Sequence, residues 1–291
     1  MIPKELIQKV KSLEIKTRKI VDSTFSGNYQ SAFKGKGLNF ADLRSYQVGD
    51  DVRSINWKVS ARSSDTHVNL FEEERELNVI ILVDVSGSGY FGSREKTKMD
   101  MAAEIAAVLG FSAVNNSDKV GLLLFSDVVE RFIPPKKGKE HMLRILRDIY
   151  YTSPSSKQTN ISVSMTHIMN MVKKRSVIFL ISDFLDHHYL KSMKIVAKKH
   201  DLVPIVIEDS REIELPKSGI LALEDQESGQ VMYVNSGSAS VRKAYHNMKY
   251  ASRLEQDRHF RSMNCDSIRL NTVDDYVLPL IRFFNKRLQR L

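Results

Sequence analysis

The amino-acid sequence predicts a doubly wound α/β fold, in which a mostly parallel sheet is covered by helices on both faces. Two observations support this prediction. The runs NVIILVD (78–84) and SVIFLISD (176–183) are continuously apolar, as is typical of central parallel strands buried on both faces. From residue 78 onward, strand-like runs alternate with helical stretches, which is the pattern of repeated β-α-β units.

The remaining predicted elements follow the same alternation along the chain. KVGLLLFS, DLVPIVIE and SIRLNT have the composition of further strands. The helical stretches are KMDMAAEIAAVLGFSAVNN, KEHMLRILRDIYY, NISVSMTHIMNMVKK, HYLKSMKIVAKKH and VDDYVLPLIRFFNKRLQR. Residues 219–234 are typical of a β-hairpin that turns near Glu227–Gly229, and a long helix is predicted over residues 240–263.

The chain divides into an N-terminal extension over 1–77 and a main domain over 78–291, with the hairpin as an insertion over 211–237. The extension begins with a basic amphipathic helix, MIPKELIQKVKSLEIKTRKIV, and continues with a segment rich in Gly, Arg and Asp. Because it is too short and too polar for a core of its own, we expect it to pack on the main domain in a structural role.

The composition limits the classes of function. The net charge is +9, but the excess is spread as two, four and three positive charges over 1–80, 81–210 and 211–291. Nucleic-acid binding is therefore disfavoured, because a phosphate-binding surface would concentrate its charge and no helix-turn-helix, zinc-finger or RNP pattern is present. Cys265 is the single cysteine, so no internal disulfide can form and we expect a packing thiol.

No integral membrane segment is expected. The longest apolar runs are far shorter than the roughly 20 residues that span a bilayer. The N-terminal helix lacks the apolar core and the cleavage site of a signal peptide. We therefore expect a cytoplasmic protein, either free or peripheral to the inner membrane through its partners.

Polar side chains follow the two most apolar strands. Asp84 and Asp183 each close one of them, and the carboxyl ends of parallel strands share the edge where ligands bind. Ser86 and Ser88 follow in the turn that enters the next helix. Thr159, just before a predicted helix, is the best candidate for a third hydroxyl. These oxygen donors suit a small hard cation, Mg²⁺ in the first place and otherwise Mn²⁺ or Ca²⁺.

Other interpretations of these residues remain open. Thr152 and Thr166 fit less well as the third hydroxyl, because the first lies just before a proline and the second lies inside a helical pattern. Asp-x-Ser-x-Ser can also arise as ordinary helix capping. Asp186, His187 and His188 suggest a transition-metal or hydrolase site, but adjacent histidines on a helix point about 100° apart. We expect Asp186 to be a helix N-cap instead.

The candidate donors resemble a known site. DVSGS (84–88), Thr159 and SDF (182–184) are similar to the three parts of the metal-ion-dependent adhesion site of von Willebrand factor A-like domains. The resemblance implies that Ser86, Ser88 and Thr159 coordinate the metal directly, while Asp84 and Asp183 act mainly through water. It also implies a Rossmann-like sheet of the von Willebrand factor A type.

The segment before this site carries a second resemblance. Residues 35–76 resemble the signature of the family called domain of unknown function 58: a Gly-x-Gly start, Leu-Arg-x-Tyr, Gly-Asp-Asp-x-Arg, a Trp and Ser-Ala-Arg. Asn39 and Asn56 depart from it, because acidic residues are expected there. The matching residues are Gly35, Gly37, Leu43, Arg44, Tyr46, Gly49, Asp50, Asp51, Arg53, Trp57, Ser60, Ala61 and Arg62.

The signature is expected to be structural. Its arginines alternate with aspartates, so we expect a bidentate ion-pair network that braces the N-terminal piece against the sheet. Trp57 is expected to anchor this piece by burial. The charged residues of the predicted network are Arg44, Asp50, Asp51, Arg53 and Arg62.

The predicted site favours a non-enzymatic protein-interaction module. Two carboxylates offset the charge of the ion and the other donors are neutral, so the metal can accept a partner's Asp or Glu as its last ligand. The family resemblance implies a MoxR-type AAA+ ATPase and other von Willebrand factor A-like proteins as partners, in the assembly or maturation of other proteins. The alternative is a Mg²⁺-dependent hydrolase acting on a phosphate ester.

Overall fold

The computed structural model describes residues 4–21, 32–33, 39–63, 65–72, 76–92, 96–186 and 188–289. Its strands are β1 (Asn39–Ser45), β2 (His67–Glu72), β3 (Asn78–Asp84), β4 (Lys119–Phe125), β5 (Val129–Lys136), β6 (Val177–Ser182), β7 (Asp201–Glu208), β8 (Ile220–Glu224), β9 (Val231–Asn235) and β10 (Ile268–Asn271). Six of them form the central sheet, in the order β10-β7-β6-β3-β4-β5. The pairs are parallel except β4 with β5, so the prediction of an α/β fold with a mostly parallel sheet is confirmed.

Apart from the short helices α2 (Trp57–Ser60) and α7 (Ser210–Ile213), the helices occupy the predicted stretches. They are α1 (Lys4–Ile20), α2 (Trp57–Ser60), α3 (Lys98–Asn115), α4 (Lys139–Tyr151), α5 (Ile161–Met171), α6 (Leu190–Lys199), α7 (Ser210–Ile213), α8 (Ala239–Ser262) and α9 (Val277–Leu288). The short α7 was not predicted; it is fixed by a capping box between Asp209 and Glu212. Within the ranges given above, no helix is long and apolar enough to cross a membrane.

Both faces of the sheet are buried. Val79, Ile81 and Val83 of β3 point into a core that is covered by α1, α3, α4 and α9. Ile80 and Leu82 point into a second core, which is covered by α5, α6 and the end of α8. This alternation explains why residues 79–83 of β3 are all apolar, since neither face meets water.

The edge strand β5 was missed by the sequence analysis. It pairs antiparallel with β4 and lies at one end of the sheet. Pro134 and Pro135 interrupt its pattern, and proline is tolerated in a sheet only where a backbone N–H is not needed, as at an edge.

The hairpin and the long helix lie where they were predicted. β8 and β9 pair antiparallel over five residue pairs, and α8 follows directly. Ile220, Val231, Met232 and Tyr233 are all more than half exposed. The hairpin therefore projects from the sheet instead of joining it.

The N-terminal extension contacts the core through its helix. Val10 and Leu13 of α1 are buried in the same core as α3 and α4. Lys16 of this helix also forms an ion pair with Glu104 at 3.0 Å. The first helix is thus packed as part of the main body.

The prediction that Trp57 is a buried anchor was wrong, because the side chain is 67% exposed. The residue opens the short helix α2, which Asn56 caps by accepting a hydrogen bond from the Val59 N–H. The size of an indole alone does not determine which way a surface helix turns it.

The ion pairs of the extension are more local than predicted. Arg44 donates two hydrogen bonds to the Asp50 carboxylate, at 2.8 and 2.6 Å. Arg44 thereby holds the pKa of that carboxyl below its usual value. Asp51 instead accepts a hydrogen bond from the Arg53 N–H, and the Arg53 and Arg62 side chains are exposed. The Arg44–Asp50 ion pair therefore stabilises the turn after β1.

Candidate functional site

The candidate site lies at the point where the strand order reverses. β3 is flanked by β4 on one side and by β6 on the other, so the chain leaves β3 in one direction and later returns on its other side. The crevice between the carboxyl ends of two such strands is the usual ligand position in open α/β sheets. Asp84 ends β3 and Asp183 follows the last residue of β6.

Asp84 is a buried carboxylate with two hydrogen-bond donors. One oxygen accepts from the Ser86 N–H at 3.0 Å, and the other accepts from the Ser182 hydroxyl at 2.7 Å. Burial in the first place, and then the charge of Asp183, raise the pKa of Asp84 to about 7. The charges of Asp84 and Asp183 thus repel each other at this edge of the sheet.

The two serines lie in the turn between β3 and α3. Ser86 is fully buried and Ser88 is 7% exposed, and their hydroxyl oxygens are 3.2 Å apart. Gly87 between them donates its N–H to the Lys157 carbonyl at 2.9 Å. Two hydroxyls are therefore held side by side, next to the end of β3.

The loop that carries Thr159 is held at the same sheet edge from two sides. Lys157 receives the hydrogen bond from Gly87, and Asn160 donates its N–H to the Ser126 carbonyl after β4 at 3.0 Å. Thr159 lies between these anchors. Its hydroxyl donates to the Glu227 carboxylate of the hairpin at 2.6 Å.

Asp186 caps a helix, but not the one that follows it in sequence. One carboxylate oxygen accepts from the Ile161 N–H at the start of α5, and the other from the His188 N–H, both at 2.9 Å. It caps the helix after Thr159 instead of α6, which follows it in sequence. His188 is exposed, and His187 lies outside the described residues.

Lys98 is a member of this site that the sequence analysis missed. Its ammonium lies 2.7 Å from Asp183 and 2.7 Å from Glu212 of α7, and the Lys98 side chain is 3% exposed. Burial lowers its pKa, but Asp183 and then Glu212 outweigh that effect and raise the pKa overall. A lysine at the first position of α3 opposes the helix dipole, which is the one signal the sequence offered.

Glu227 was also missed, since a glutamate in a polar hairpin turn carries no pattern of its own. The hairpin tip lies directly on the serine loop: a Cβ at Gly87 would be 2.6 Å from the Gln226 carbonyl oxygen. The loop and the tip are therefore in backbone contact.

The donor chemistry fits a hard divalent cation. Among the described residues, Asp183 and Glu212 contact the Lys98 ammonium, and the charge of Asp183 also acts on Asp84 and Glu227. A small cavity lined in part by Asp84, Ser88, Lys98 and Asp183 adjoins them. No three Asp, Glu, His or Cys side chains of the described ranges form a metal-ligating group by themselves. Hydroxyl ligands would thus be required, and hydroxyls with carboxylates suit Mg²⁺.

The competing residues have other contacts. The Thr152 hydroxyl donates to the Asp148 carbonyl at 2.7 Å and the Thr166 hydroxyl to the Ser162 carbonyl at 2.9 Å. Burial, with Asp201 and Asp266 nearby, raises the pKa of Cys265 to about 12. That thiol is buried and protonated, as expected of a packing residue.

The fold and the site together define a doubly wound α/β protein with an oxygen-donor cluster at its switch point. The model of the family "Protein of unknown function DUF58" matches residues 42–255, and the chain belongs to this family. It is 28% identical over 286 residues to the uncharacterized protein Rv1480 of Mycobacterium tuberculosis, covering 97% of this chain and 90% of that one. It is also 25% identical over 158 residues to the uncharacterized protein MAV169 of Mycobacterium avium, covering 53% and 93%.

Solved structures resemble the chain more distantly. An aerotolerance-related membrane protein from Bacteroides fragilis has a TM-score of 0.49 at 15% identity, covering 74% of this chain and 100% of that one. The conserved hypothetical protein BatB from Bacteroides thetaiotaomicron has a TM-score of 0.47 at 15% identity, covering 73% and 99%. Likeness at this level carries no conclusion about function.

Proposed function

We propose that the protein is a non-enzymatic, divalent-metal-dependent protein-interaction module. The observation that carries this proposal is the buried Asp84 next to Asp183 at the switch point, with the paired hydroxyls of Ser86 and Ser88 beside them. These residues and Thr159 would hold a Mg²⁺ ion, with Mn²⁺ or Ca²⁺ as substitutes. Following the resemblance to von Willebrand factor A-like sites, the three hydroxyls would contact the ion and the carboxylates would act through water.

The charge balance supports a binding role. The Lys98 ammonium forms ion pairs with both Asp183 and Glu212. Part of the Asp183 charge is therefore already neutralised. Asp84, Asp183 and Glu212 together with Lys98 carry a formal charge of −2, which one divalent ion balances. Because three of the proposed ligands are neutral hydroxyls, the ion can still accept a carboxylate as a further ligand. When bound, it would supply a positive centre for a carboxylate of a protein partner.

The partner class follows from the family resemblance. We propose a MoxR-type AAA+ ATPase together with other von Willebrand factor A-like proteins, and a role in the assembly or maturation of other proteins. The strand reversal at β3 and the Asp84-x-Ser86-x-Ser88 loop support placing the sheet in the von Willebrand factor A-like class.

Metal binding is tested by calorimetry with Mg²⁺ and Mn²⁺ on the full chain. Ser86→Ala should weaken binding about tenfold or more, since it removes one oxygen ligand. Ser112→Ala is the matched control, because Ser112 is equally buried and its hydroxyl only donates to the Val108 carbonyl of its own helix. Equal metal affinity in the two variants would contradict the proposed ligand set.

Partner binding is tested separately. The full chain and the MoxR-type ATPase of the same organism are titrated by calorimetry in Mg²⁺ and in EDTA, and we expect binding only in Mg²⁺. Equal affinity in both buffers would refute a metal-dependent contact. Hydrolysis of phosphate esters in Mg²⁺ or Mn²⁺ that Ser86→Ala abolishes would establish the enzymatic alternative instead.

A further inference from the structure

The tip of the hairpin, Asp225–Gly229, is an ordered turn. Its Asp225 carboxylate accepts hydrogen bonds from the Glu227 N–H at 2.9 Å and from the Ser228 hydroxyl at 2.8 Å. The Gly229 N–H closes the turn by donating to the Asp225 carbonyl at 2.7 Å, and Gly229 has a φ of +70°, which favours glycine. The turn therefore fixes the backbone from which the Glu227 side chain extends.

Glu227 points away from solvent and into the candidate site. It is half-buried, while its neighbours Gln226 and Ser228 are exposed. Thr159 donates to its carboxylate from the hydroxyl at 2.6 Å and also from its backbone N–H. Of the residues at the tip, this glutamate alone has its side chain bound to a candidate metal ligand.

The Glu227 carboxylate is influenced by the charge of Asp183. Burial in the first place, and then the charge of Asp183, raise its pKa, although the Thr159 donors act in the opposite direction. The Glu227 carboxylate thus adds to the negative charge around Asp183. A divalent ion between these groups would convert the repulsion into attraction.

The backbone of the tip also lies against the site. The Gln226 carbonyl oxygen would lie only 2.6 Å from a Cβ added at Gly87. Gly87 stands between Ser86 and Ser88, so the tip lies directly on the loop that carries two of the proposed ligands. Side-chain and backbone contacts thus place the same carboxylate over the same site.

We propose that Glu227 is an internal ligand of the metal centre. The hairpin tip presents it at the position that a partner's carboxylate would take, and a partner binds by displacing the tip. This inference rests on the proposed function, since it needs the ion. It makes the hairpin the element that decides when the metal is open to a partner.

The experiment titrates Mn²⁺ alone into the full chain by calorimetry. Glu227→Gln keeps an acceptor for the Thr159 donors but removes the charge, and we expect Mn²⁺ affinity to fall about tenfold or more. Glu224→Gln is the matched control, because Glu224 lies on the same hairpin and is exposed; its affinity should equal that of the wild type. Hydrogen exchange gives a second readout: Mg²⁺ should protect residues 225–229 in the wild type and in Glu224→Gln, but not in Glu227→Gln.

The outcomes separate the two proposals. If the wild type binds Mn²⁺, Ser86→Ala weakens it and Glu227→Gln does not, Glu227 is only a hydrogen-bond anchor of the hairpin. The internal-ligand proposal is then overturned while the proposed function stands. If the wild type binds no Mn²⁺ at millimolar concentration, the proposed function fails and the internal ligand fails with it.

Discussion

The ammonium group of Lys98 lies 2.7 Å from the Asp183 carboxylate, and both side chains are more than nine-tenths buried. This contact joins the first residue of α3 to the loop after β6, across the reversal in strand order. Removing two charges from water costs more than an ordinary surface pair returns. The buried Asp183 carboxylate therefore depends on the Lys98 ammonium to neutralise its charge.

Replacing Lys98 should be strongly destabilising. Lys98→Met leaves Asp183 and Glu212 without their shared cation, and we expect the free energy of unfolding to fall by about 3–5 kcal/mol. Urea unfolding at neutral pH measures it. Lys96→Met is the control, because Lys96 is half-exposed and pairs with Glu104; such a pair contributes only about 1 kcal/mol or less.

A double variant checks the cause of that loss. Lys98→Met combined with Asp183→Asn should recover part of the stability, since the uncompensated buried charge is gone. If Lys98→Met lowers the free energy of unfolding no more than Lys96→Met does, the buried pair does not stabilise the fold. Asp183 then does not need Lys98 to neutralise its charge.

The extension should be anchored by α1 and not by its tryptophan. Leu13 is 5% exposed within the main core, so Leu13→Ala should lower the free energy of unfolding by about 2–4 kcal/mol. Trp57 is 67% exposed, and Trp57→Ala should change it by no more than about 0.5 kcal/mol. The same urea titration measures both. A larger loss of unfolding free energy in Trp57→Ala would show that Trp57 anchors the extension, as the sequence predicted.

The parallel strands of the central sheet were predictable because their signal is local. β3 and β6 are apolar at successive positions, and that pattern needs no knowledge of distant residues. The turn near Glu227 was predictable for the same reason. The edge strand β5 was not, since its two prolines hide a pattern that only the open edge of the sheet permits.

The contacts of the site were less predictable, because they join residues far apart in sequence. Lys98 and Asp183 are 85 positions apart, and Thr159 and Glu227 are 68 apart. Neither a lone lysine nor a lone turn glutamate carries a pattern. Asp84, Ser86 and Ser88 could be singled out only because they follow one strand at close spacing.

Acid should weaken the fold through His200. This side chain is 3% exposed, and neither ring nitrogen has a hydrogen-bond partner among the described residues. Burial, and then Lys199 and Arg175, lower its pKa from 6.5 to about 4. Above pH 6.5, His200 is neutral in both the folded and the unfolded chain. Between pH 6.5 and 4, His200 takes up a proton in the unfolded chain but not in the folded chain, so the free energy of unfolding decreases as the pH is lowered.

Through His200, the free energy of unfolding should decrease by about 2 kcal/mol between pH 7 and pH 4.5. Urea unfolding at the two values, in the wild type and in His200→Gln, measures it. His200→Gln should lose less stability on acidification than the wild type, whereas His188→Gln, at an exposed position, should lose as much. Equal losses in His200→Gln and the wild type would assign the acid sensitivity to other groups.

The contact between the hairpin tip and the serine loop should depend on the missing side chain of Gly87. Its backbone is not in the left-handed region, so alanine costs little locally. The added Cβ would lie 2.6 Å from the Gln226 carbonyl oxygen, however, and 3.2 Å from the Lys157 Cβ. One of these groups must move, and we expect it to be the hairpin tip, because β8 and β9 form a two-stranded sheet separate from the central sheet.

We therefore expect Gly87→Ala to detach the tip without unfolding the chain. Hydrogen exchange of residues 225–229 should accelerate about tenfold or more, while the free energy of unfolding changes by about 1 kcal/mol or less. Gly89→Ala is the control in the same turn, because its Cβ would meet no atom closer than 3.8 Å. Unchanged protection of 225–229 in Gly87→Ala would show that the tip does not rest on the loop in solution. A detached tip should also reproduce the Mn²⁺ affinity of Glu227→Gln, since both changes withdraw the same carboxylate.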